Sequence, residues 1–510
     1  MPESSRRDVM QFGLSAALVS ALPDVSFAKS RADTGNTPAA FAKVAEMIKT
    51  GLEQKKIPSV SIAISQKGRA IWEQSFGWAD REKQIKATPH TVYSLASITK
   101  SMTATALMTL VRKGKIVLDA PAERYIGSGM LTAYAGSAND VTVRRLLHHT
   151  AGLPQHFNYF YADEPGQPHS MEETIRHFGI IVDVPGKTFR YANLGYGILG
   201  HIIANVSGHP LAEYIQTEVF QPLGMNDTVF DPGPGQAIAM RYDTNRKAVP
   251  FMRCDTPGAA HAYASVQDLL RFGMFHLKDR LADQRPILEA STIDQMHTEQ
   301  DGTAHDGREG EESYGLGWFI GPSPNGLATV WHEGGWTGAS SMLKLVPARD
   351  IAVAVAMNTF DHEFTEQLTE NALRAVIADF GTARPAAQLP SPPPFVIPAG
   401  TYTGEVRIPG GNIPIVLDST GTEVHVRLGD LSSPPKTAFI LPVTRRPGEF
   451  LGSIPGPIGD TAFERFSDSA LLDLRTIGGE LKGTISASTW PDEPRMHFLL
   501  SYAVSLKRES

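Results

Sequence analysis

The chain has 510 residues, more than one ordinary core accommodates, so two or three domains are expected. It is 42% hydrophobic and 20% charged, the balance of a globular protein. Its net charge of −7 argues against nucleic acid or an anionic membrane surface as a main partner.

The first 28 residues read as an export signal rather than structure. Arg6-Arg7 precede an apolar run from Val9 to Leu22, and Ser26 and Ala28 are the small residues a signal peptidase requires. The paired arginines suggest the twin-arginine type and hence a periplasmic destination, although Gln11 replaces the usual lysine. No later stretch is apolar enough to span a bilayer. The single cysteine, Cys254, excludes an internal disulfide and reads as a buried apolar side chain.

"SVSIAIS" (59–65) is a buried strand with Val60, Ile62 and Ile64 on one face. Lys67-Gly68 is a turn, and "AIWEQSFGWA" (70–79) returns as the hairpin partner. A helix from about Ser97 ends at Gly114. A mostly helical middle runs to about residue 300. Three strands follow, "ATVWH" (328–332), "SSMLKLVP" (340–347) and "IAVAVAMN" (351–358), and the helix "EFTEQLTENALRAVIADF" (363–380) closes the unit. Strands at both ends of a helical middle imply one sheet built from the two termini, with a helical lobe inserted. The expected divisions are a main domain over 29–384, a linker over 385–398 with six prolines in fourteen positions, and a tail over 399–510. Alternation in "TEVHVRL", "LLDLRTI", "LKGTISAS" and "RMHFLLSYAVSL" marks the tail as a small antiparallel, barrel-like β domain, separable from the rest.

Ser97 and Lys100, at i and i+3, share one face of a helix start. Serine needs a base beside it to act as a nucleophile. Burial leaves a lysine neutral and basic, and a helix N-terminus offers N–H groups to a developing anion. Ser-x-x-Lys occurs four times, at Ser26, Ser97, Ser341 and Ser433. The first lies at the cleavage site, the third on a strand, and the fourth contains Pro434-Pro435. Only Ser97 opens a helix. Tyr191-Ala192-Asn193 is the single Tyr-x-Asn, and His332-Glu333-Gly334-Gly335 the single His-x-Gly-Gly. The latter lacks the second histidine of a zinc motif, and no metal or cofactor is expected.

With "LASITKSMTATALMTLVRKGKIVLDAPAERYI", "VTVRRLLHHTAGLP", "YANLGYGILGHIIANVSG", "YGLGW" and "HEGGWTG" in this order, residues 40–380 resemble the serine β-lactamase-like hydrolases of the class C and D-alanyl-D-alanine carboxypeptidase type. The tail after a proline-rich linker is similar to the D-aminopeptidase branch. The resemblance implies an α/β sandwich with an antiparallel sheet and a helical lobe, the active site between them. It implies that Ser97 forms an acyl-enzyme, Lys100 activates it, and Tyr191 carries the proton to the leaving group. Asn193 would bind the substrate amide and Lys100, and His332 would stand where the family more often has lysine. Gly335 and Ser97 would supply the oxyanion N–H groups, with glycines at 334 and 335 letting substrate approach.

A histidine at 332 removes a permanent cation and fits peptidases and esterases better than a true β-lactamase. The leading expectation is a peptidase acting on short peptides at a D-residue such as D-alanine, in cell-wall fragments or linearised cyanobacterial peptides; a linearised-microcystin peptidase is one candidate. An esterase or weak β-lactamase is the runner-up, and a non-catalytic binding or sensor protein the third reading. Glu333 is expected to face away from the site in a structural or rim role, and His148-His149 as packing rather than a metal pair. Tyr159, Phe160, Tyr161, Trp318 and Trp336 either line the cleft or pack.

Overall fold

In the strand Ile351–Met357, IAVAVAM, valines and alanines alternate, and the two sets build different layers of the protein. The computed structural model describes residues 37–510 except 128, 234–236, 280, 301–312, 323–325, 381–394, 409–410, 442–447, 461–464, 490–494 and 510. The export segment and most of the linker lie outside the described residues.

Ile351–Met357 sits near the middle of an eight-stranded antiparallel sheet, between Ala339–Val346 and Ser59–Gln66. The two chain ends therefore meet side by side, with Ile62 opposite Val355 and Ala63 opposite Ala354. Val353 and Val355 join Val60, Ile62 and Ile64 against Ile48 of helix Ala42–Gln54 and Leu368 of helix His362–Val376. Ala352, Ala354 and Ala356 face the other way, toward helix Val266–His276. The small side chains let that helix come close. A Cβ on its Gly273 would lie 3.0 Å from Leu343 Cδ1 and 3.2 Å from Ala352 Cβ, so a large residue there overpacks the layer at a cost of about 1–3 kcal/mol. The hairpin after Gln66 turns on Lys67 and Gly68, both with positive φ (53° and 67°), the geometry of a two-residue turn between twisted strands.

Helix Thr99–Arg112 runs through the centre, buried on every side from Thr99 to Leu110, and stops at Gly114 with φ +68°. Its hydroxyls are tolerated because each finds a partner: Ser101 donates to Gly317 O (2.7 Å), Thr103 to Gly258 O (2.8 Å) and Thr105 to Ser101 O (2.8 Å).

The tail forms an antiparallel, nearly closed barrel-like sheet from Gly400–Ile408 to Phe498–Arg508, whose first and last long strands pair. Its last strand also pairs with Phe157–Tyr161 of the hydrolase half, Leu499 opposite Phe157 and Phe498 opposite Asn158. From Asn36 on, the two halves form one compact unit.

Candidate active site

Ser97 lies on the connection between strand Tyr93–Ser94 and the central helix. The helix expected from about Ser97 opens with a 3-10 turn, Ala96–Ile98, and takes α-geometry from Thr99. Ala96 takes φ +45°, a left-handed conformation that costs a non-glycine residue about 1–2 kcal/mol and is held here by its surroundings. Leu95 N donates to Ala262 O at 3.0 Å, and Leu95 O accepts from Ser341 Oγ at 2.8 Å. The tight turn leaves Ser97 half-buried with its Oγ 3.0 Å from Lys100 Nζ.

Lys100 is fully buried. Its Nζ donates to Ser97 Oγ and to Ala259 O, each at 3.0 Å, and lies 4.8 Å from the centre of the Tyr191 ring. Asn193, expected as a partner of this amine, opens helix Asn193–Ser207, and its backbone N–H donates to Gln155 Oε1 at 3.1 Å. Burial holds the Lys100 ammonium well below the ordinary lysine range, against a smaller opposing pull from Cys254. A lysine amine whose proton is held loosely therefore stands beside a hydroxyl.

Burial pushes the Tyr191 phenol above the ordinary tyrosine range, against a smaller opposing pull from the Ser97 hydroxyl beside it. Tyr191 is therefore a neutral hydroxyl able to accept one proton as it gives another. His149, read from sequence as packing, holds this segment. Its Nδ1 accepts from Ala192 N at 3.1 Å and its carbonyl accepts from Arg190 N at 2.7 Å. His148 points elsewhere, Nδ1 to Thr150 Oγ1 at 3.0 Å, so the two rings do not form a metal pair. His148 borders a cavity of about 540 Å³ in the helical lobe, whose Arg144 is already bidentate on Asp119.

His332, fully buried on strand Ala328–Trp336, faces inward. Its Nδ1 lies 2.6 Å from Glu333 O and its Nε2 2.9 Å from Tyr314 hydroxyl, which assigns the proton to Nδ1 and the acceptor role to Nε2. Burial first, then Lys100, holds this imidazole down to about 3, so it is uncharged near neutral pH. Glu333 faces the opposite side, 41% exposed and 3.6 Å from His362. The neighbouring strand Phe319–Pro322 pairs with this strand only as far as Trp331, opposite Phe319. Beyond it the edge carries no partner among the described residues. The hairpin pairing Trp336↔Ala339 puts 332, 334 and 336 in bonding positions toward Ala339–Val346, which turns the N–H of Gly335 to the open edge.

The two glycines also have an internal reason beyond substrate approach. A Cβ at 334 would lie 1.9 Å from Leu95 O, and one at 335 would lie 2.2 Å from His362 Nε2. Trp318 is fully buried, stacked 5.9 Å from Phe272, and so packs rather than lines a cleft. Trp336 is also fully buried, edge-on to Tyr159 at 5.5 Å. Phe160 and Tyr161 are buried on the strand that meets the barrel. Sequence reasoning missed Tyr314, Ala259 and the clamping role of His149. Tyr314 stands in "YGLGW", a motif quoted for the resemblance without a role, and a carbonyl such as that of Ala259 leaves no trace in residue type.

The family model described as Beta-lactamase matches residues 44–377, and the chain belongs to this family. It is 25% identical over 446 residues to unguisins hydrolase ungD' of Aspergillus campestris, covering 79% of this chain and 82% of that one. It is 27% identical to protein flp of Staphylococcus aureus, covering 64% of each chain, so it spans less than two thirds of that relative's length. Among solved structures, the octameric penicillin-binding protein homologue from Pyrococcus abyssi shares the fold over 91% of this chain and 99% of its own, with TM-score 0.56 and 24% identity. SurE with D-Leu shares it over 92% and 100%, with TM-score 0.60 and 20% identity. A class C beta-lactamase covers 66% of this chain and 95% of its own, at TM-score 0.56 and 19% identity. The chain is a serine-type hydrolase of this fold.

Proposed function

We propose that this member of the β-lactamase family is a peptidase working through an acyl-enzyme on Ser97, with neutral Lys100 as its base. The observation that carries the reading is the 3.0 Å contact between Ser97 Oγ and the amine of a completely buried lysine. In the first step the Ser97 proton passes to Lys100 Nζ as Oγ bonds the substrate carbonyl carbon. The oxyanion is held by the N–H groups of Ser97 and Gly335. Tyr191, its ring centre 4.8 Å from Lys100 Nζ, gives its proton to the leaving nitrogen and takes one back from Lys100, so the C–N bond breaks and the amine departs neutral. Water then enters by the reverse relay and frees Ser97. Asn193 and the strand edge around Gly335 bind the substrate amide.

The substrate class is a short peptide cut after a D-residue, D-alanine first, as in cell-wall fragments or linearised cyanobacterial peptides. Support comes from the family's carboxypeptidase branch and from His332, whose neutral ring offers no permanent cation to a substrate carboxylate. Chains continuing past the scissile bond are then accepted. The Arg6-Arg7 leader supports work in the periplasm.

The test compares wild type with Ser97→Ala. A fluorophosphonate or penicillin labels the wild type at Ser97 and not the variant; labelling that persists, or that maps to Ser341 or Ser433, refutes the nucleophile. Rates on matched D-Ala-Leu and L-Ala-Leu peptides, C-terminus free or amidated, test the substrate. Preference for the L-peptide refutes the stereochemistry, and loss of the amidated form refutes the role given to His332. Turnover of simple esters with neither peptide cut transfers the protein to the esterase reading.

A further inference from the structure

Five charged side chains bridge the hydrolase half and the barrel beside Tyr191. Arg190, its neighbour in the chain, pairs with Asp183 at 2.9 Å and with Asp473 of the barrel strand Arg465–Ile477. Arg475, two residues further along that strand, reaches back to Asp183 at 3.0 Å and to Glu449 at 3.4 Å. None of these side chains is more than 15% exposed. Ion pairs taken out of water hold position strongly, because loss of one partner strands the other charge where solvent cannot reach it.

The barrel also reaches the two other sides of the site. Ser501 Oγ donates to Gln155 O at 2.8 Å, and Gln155 Oε1 in turn accepts from Asn193 N at 3.1 Å. Met496 N donates to Thr337 Oγ1 at 2.8 Å, two residues past Gly335. Tyr191 is thus bracketed by barrel-held residues, Arg190 before it and Asn193 after it.

We propose that Asp473 of the C-terminal barrel is a positioning residue for Tyr191, acting through Arg190, so that the barrel sets the geometry of the proton relay. The proposal rests on the acyl-enzyme reading above. It places the effect on one step. Lys100 and the Ser97 turn belong to the central helix, and the network does not touch them. Attack by Ser97 therefore survives loss of Asp473, whereas delivery of a proton to the leaving group suffers. A p-nitrophenolate leaves without a proton; an anilide nitrogen does not.

The experiment uses the full chain and two probes with one acyl group, D-alanine p-nitroanilide and D-alanine p-nitrophenyl ester. In Asp473→Ala, kcat/KM on the anilide is expected to fall about tenfold to a hundredfold, the scale of a misplaced catalytic group, with kcat/KM on the ester within about threefold of wild type. Asp473→Glu restores part of the anilide rate. Equal losses on both probes, or no loss on either, overturn the proposal. Should Asp473→Ala fail to fold, Asp473→Asn and Arg190→Lys carry the same comparison of probes. Fluorophosphonate labelling separates the two levels of the argument. If wild type is not labelled at Ser97, the acyl-enzyme reading fails; if it is labelled and the anilide-to-ester ratio does not move, only the role of Asp473 fails.

Discussion

The rings of His149 and Tyr191 lie 4.4 Å apart, and His149 bonds the backbone on both sides of Tyr191, through its carbonyl to Arg190 N and through Nδ1 to Ala192 N. It does so from φ +60°, a left-handed conformation unusual for anything but glycine, asparagine or aspartate. Burial and the neighbouring Lys100 keep the imidazole well below its ordinary range, so it stays a neutral acceptor at Nδ1.

This relationship predicts unequal effects at 149. In His149→Asn the side-chain oxygen stands near the lost Nδ1 and the residue tolerates positive φ, so kcat/KM is expected to stay within about tenfold of wild type. In His149→Leu the acceptor is gone and the backbone strained, and the loss should approach a hundredfold, the scale of a misplaced catalytic group. Steady-state kinetics on one peptide decide it. Equal activity of the two variants would remove the clamp from the mechanism.

Lys100 carries a second prediction, because a buried amine whose proton affinity is lowered by burial works against the fold. The unfolded chain binds a proton at this residue up to about pH 10.4, and the folded chain does so only well below that. Stability therefore rises with pH between the folded and unfolded values and is penalised below them. Lys100→Met should melt higher than wild type at pH 7, with the gain shrinking toward pH 10, while the rate falls more than about a hundredfold. A variant that melts lower at pH 7 would show that the bonds to Ser97 and Ala259 outweigh the burial penalty.

The central helix, the hairpin at Lys67-Gly68 and the three strands between 328 and 357 were legible because each carries a local period or stop signal. Ser97 and Lys100 were legible because a nucleophile and its base fit within one helix turn; Tyr191 and His332 were reached through the family resemblance, and the structure sets Lys100 Nζ 3.0 Å from Ser97 Oγ and 4.8 Å from the centre of the Tyr191 ring. The clamp by His149 was not legible: its function depends on φ +60° and on two backbone amides forty-odd residues later, neither encoded by residue type. The barrel strands Gly400–Ile408 and Gly411–Ser419 were hidden by glycines and a proline that interrupt alternation. Six prolines announce a linker, but the pairing of Leu499 with Phe157 joins segments so distant in the chain that no local pattern records it. The buried charges at 183, 190 and 473 look in sequence like ordinary surface residues.

Six histidines, His148, His149, His201, His276, His297 and His332, are held below the ordinary histidine value by burial, His148 to about 4 and His297 and His332 to about 3. In the unfolded chain they take up protons near pH 6.5. Between about pH 6.5 and 4 the unfolded state therefore binds more protons than the folded one, and stability falls as pH falls, each histidine contributing up to about 1.4 kcal/mol per pH unit. Thermal melts from pH 7 to 4.5 should show a steep decline. His297→Gln, which removes the partner 3.1 Å from His276 Nδ1, should melt lower at pH 7 yet show a shallower slope. A slope unchanged in that variant would assign the acid sensitivity to carboxylates instead.

The last prediction concerns the residue that departs most from the family pattern. His332 Nε2 accepts from the Tyr314 hydroxyl, and the ring lies close enough to Lys100 for that amine to lower its proton affinity. His332→Lys places a second amine beside the first, at a position as fully buried as Lys100 itself. Two ammonium ions there repel, so the new one gains its proton only when an anion arrives with it. A peptide with a free C-terminal carboxylate supplies that anion; an amidated peptide does not. The ratio of kcat/KM on free over amidated D-Ala-Leu should therefore rise about tenfold or more in His332→Lys, the scale of one charge-assisted hydrogen bond. Tyr314→Phe should leave that ratio unchanged, because it removes a neutral hydroxyl and adds no charge. If His332→Lys raises neither the ratio nor the affinity for the free peptide, position 332 does not face the substrate carboxylate.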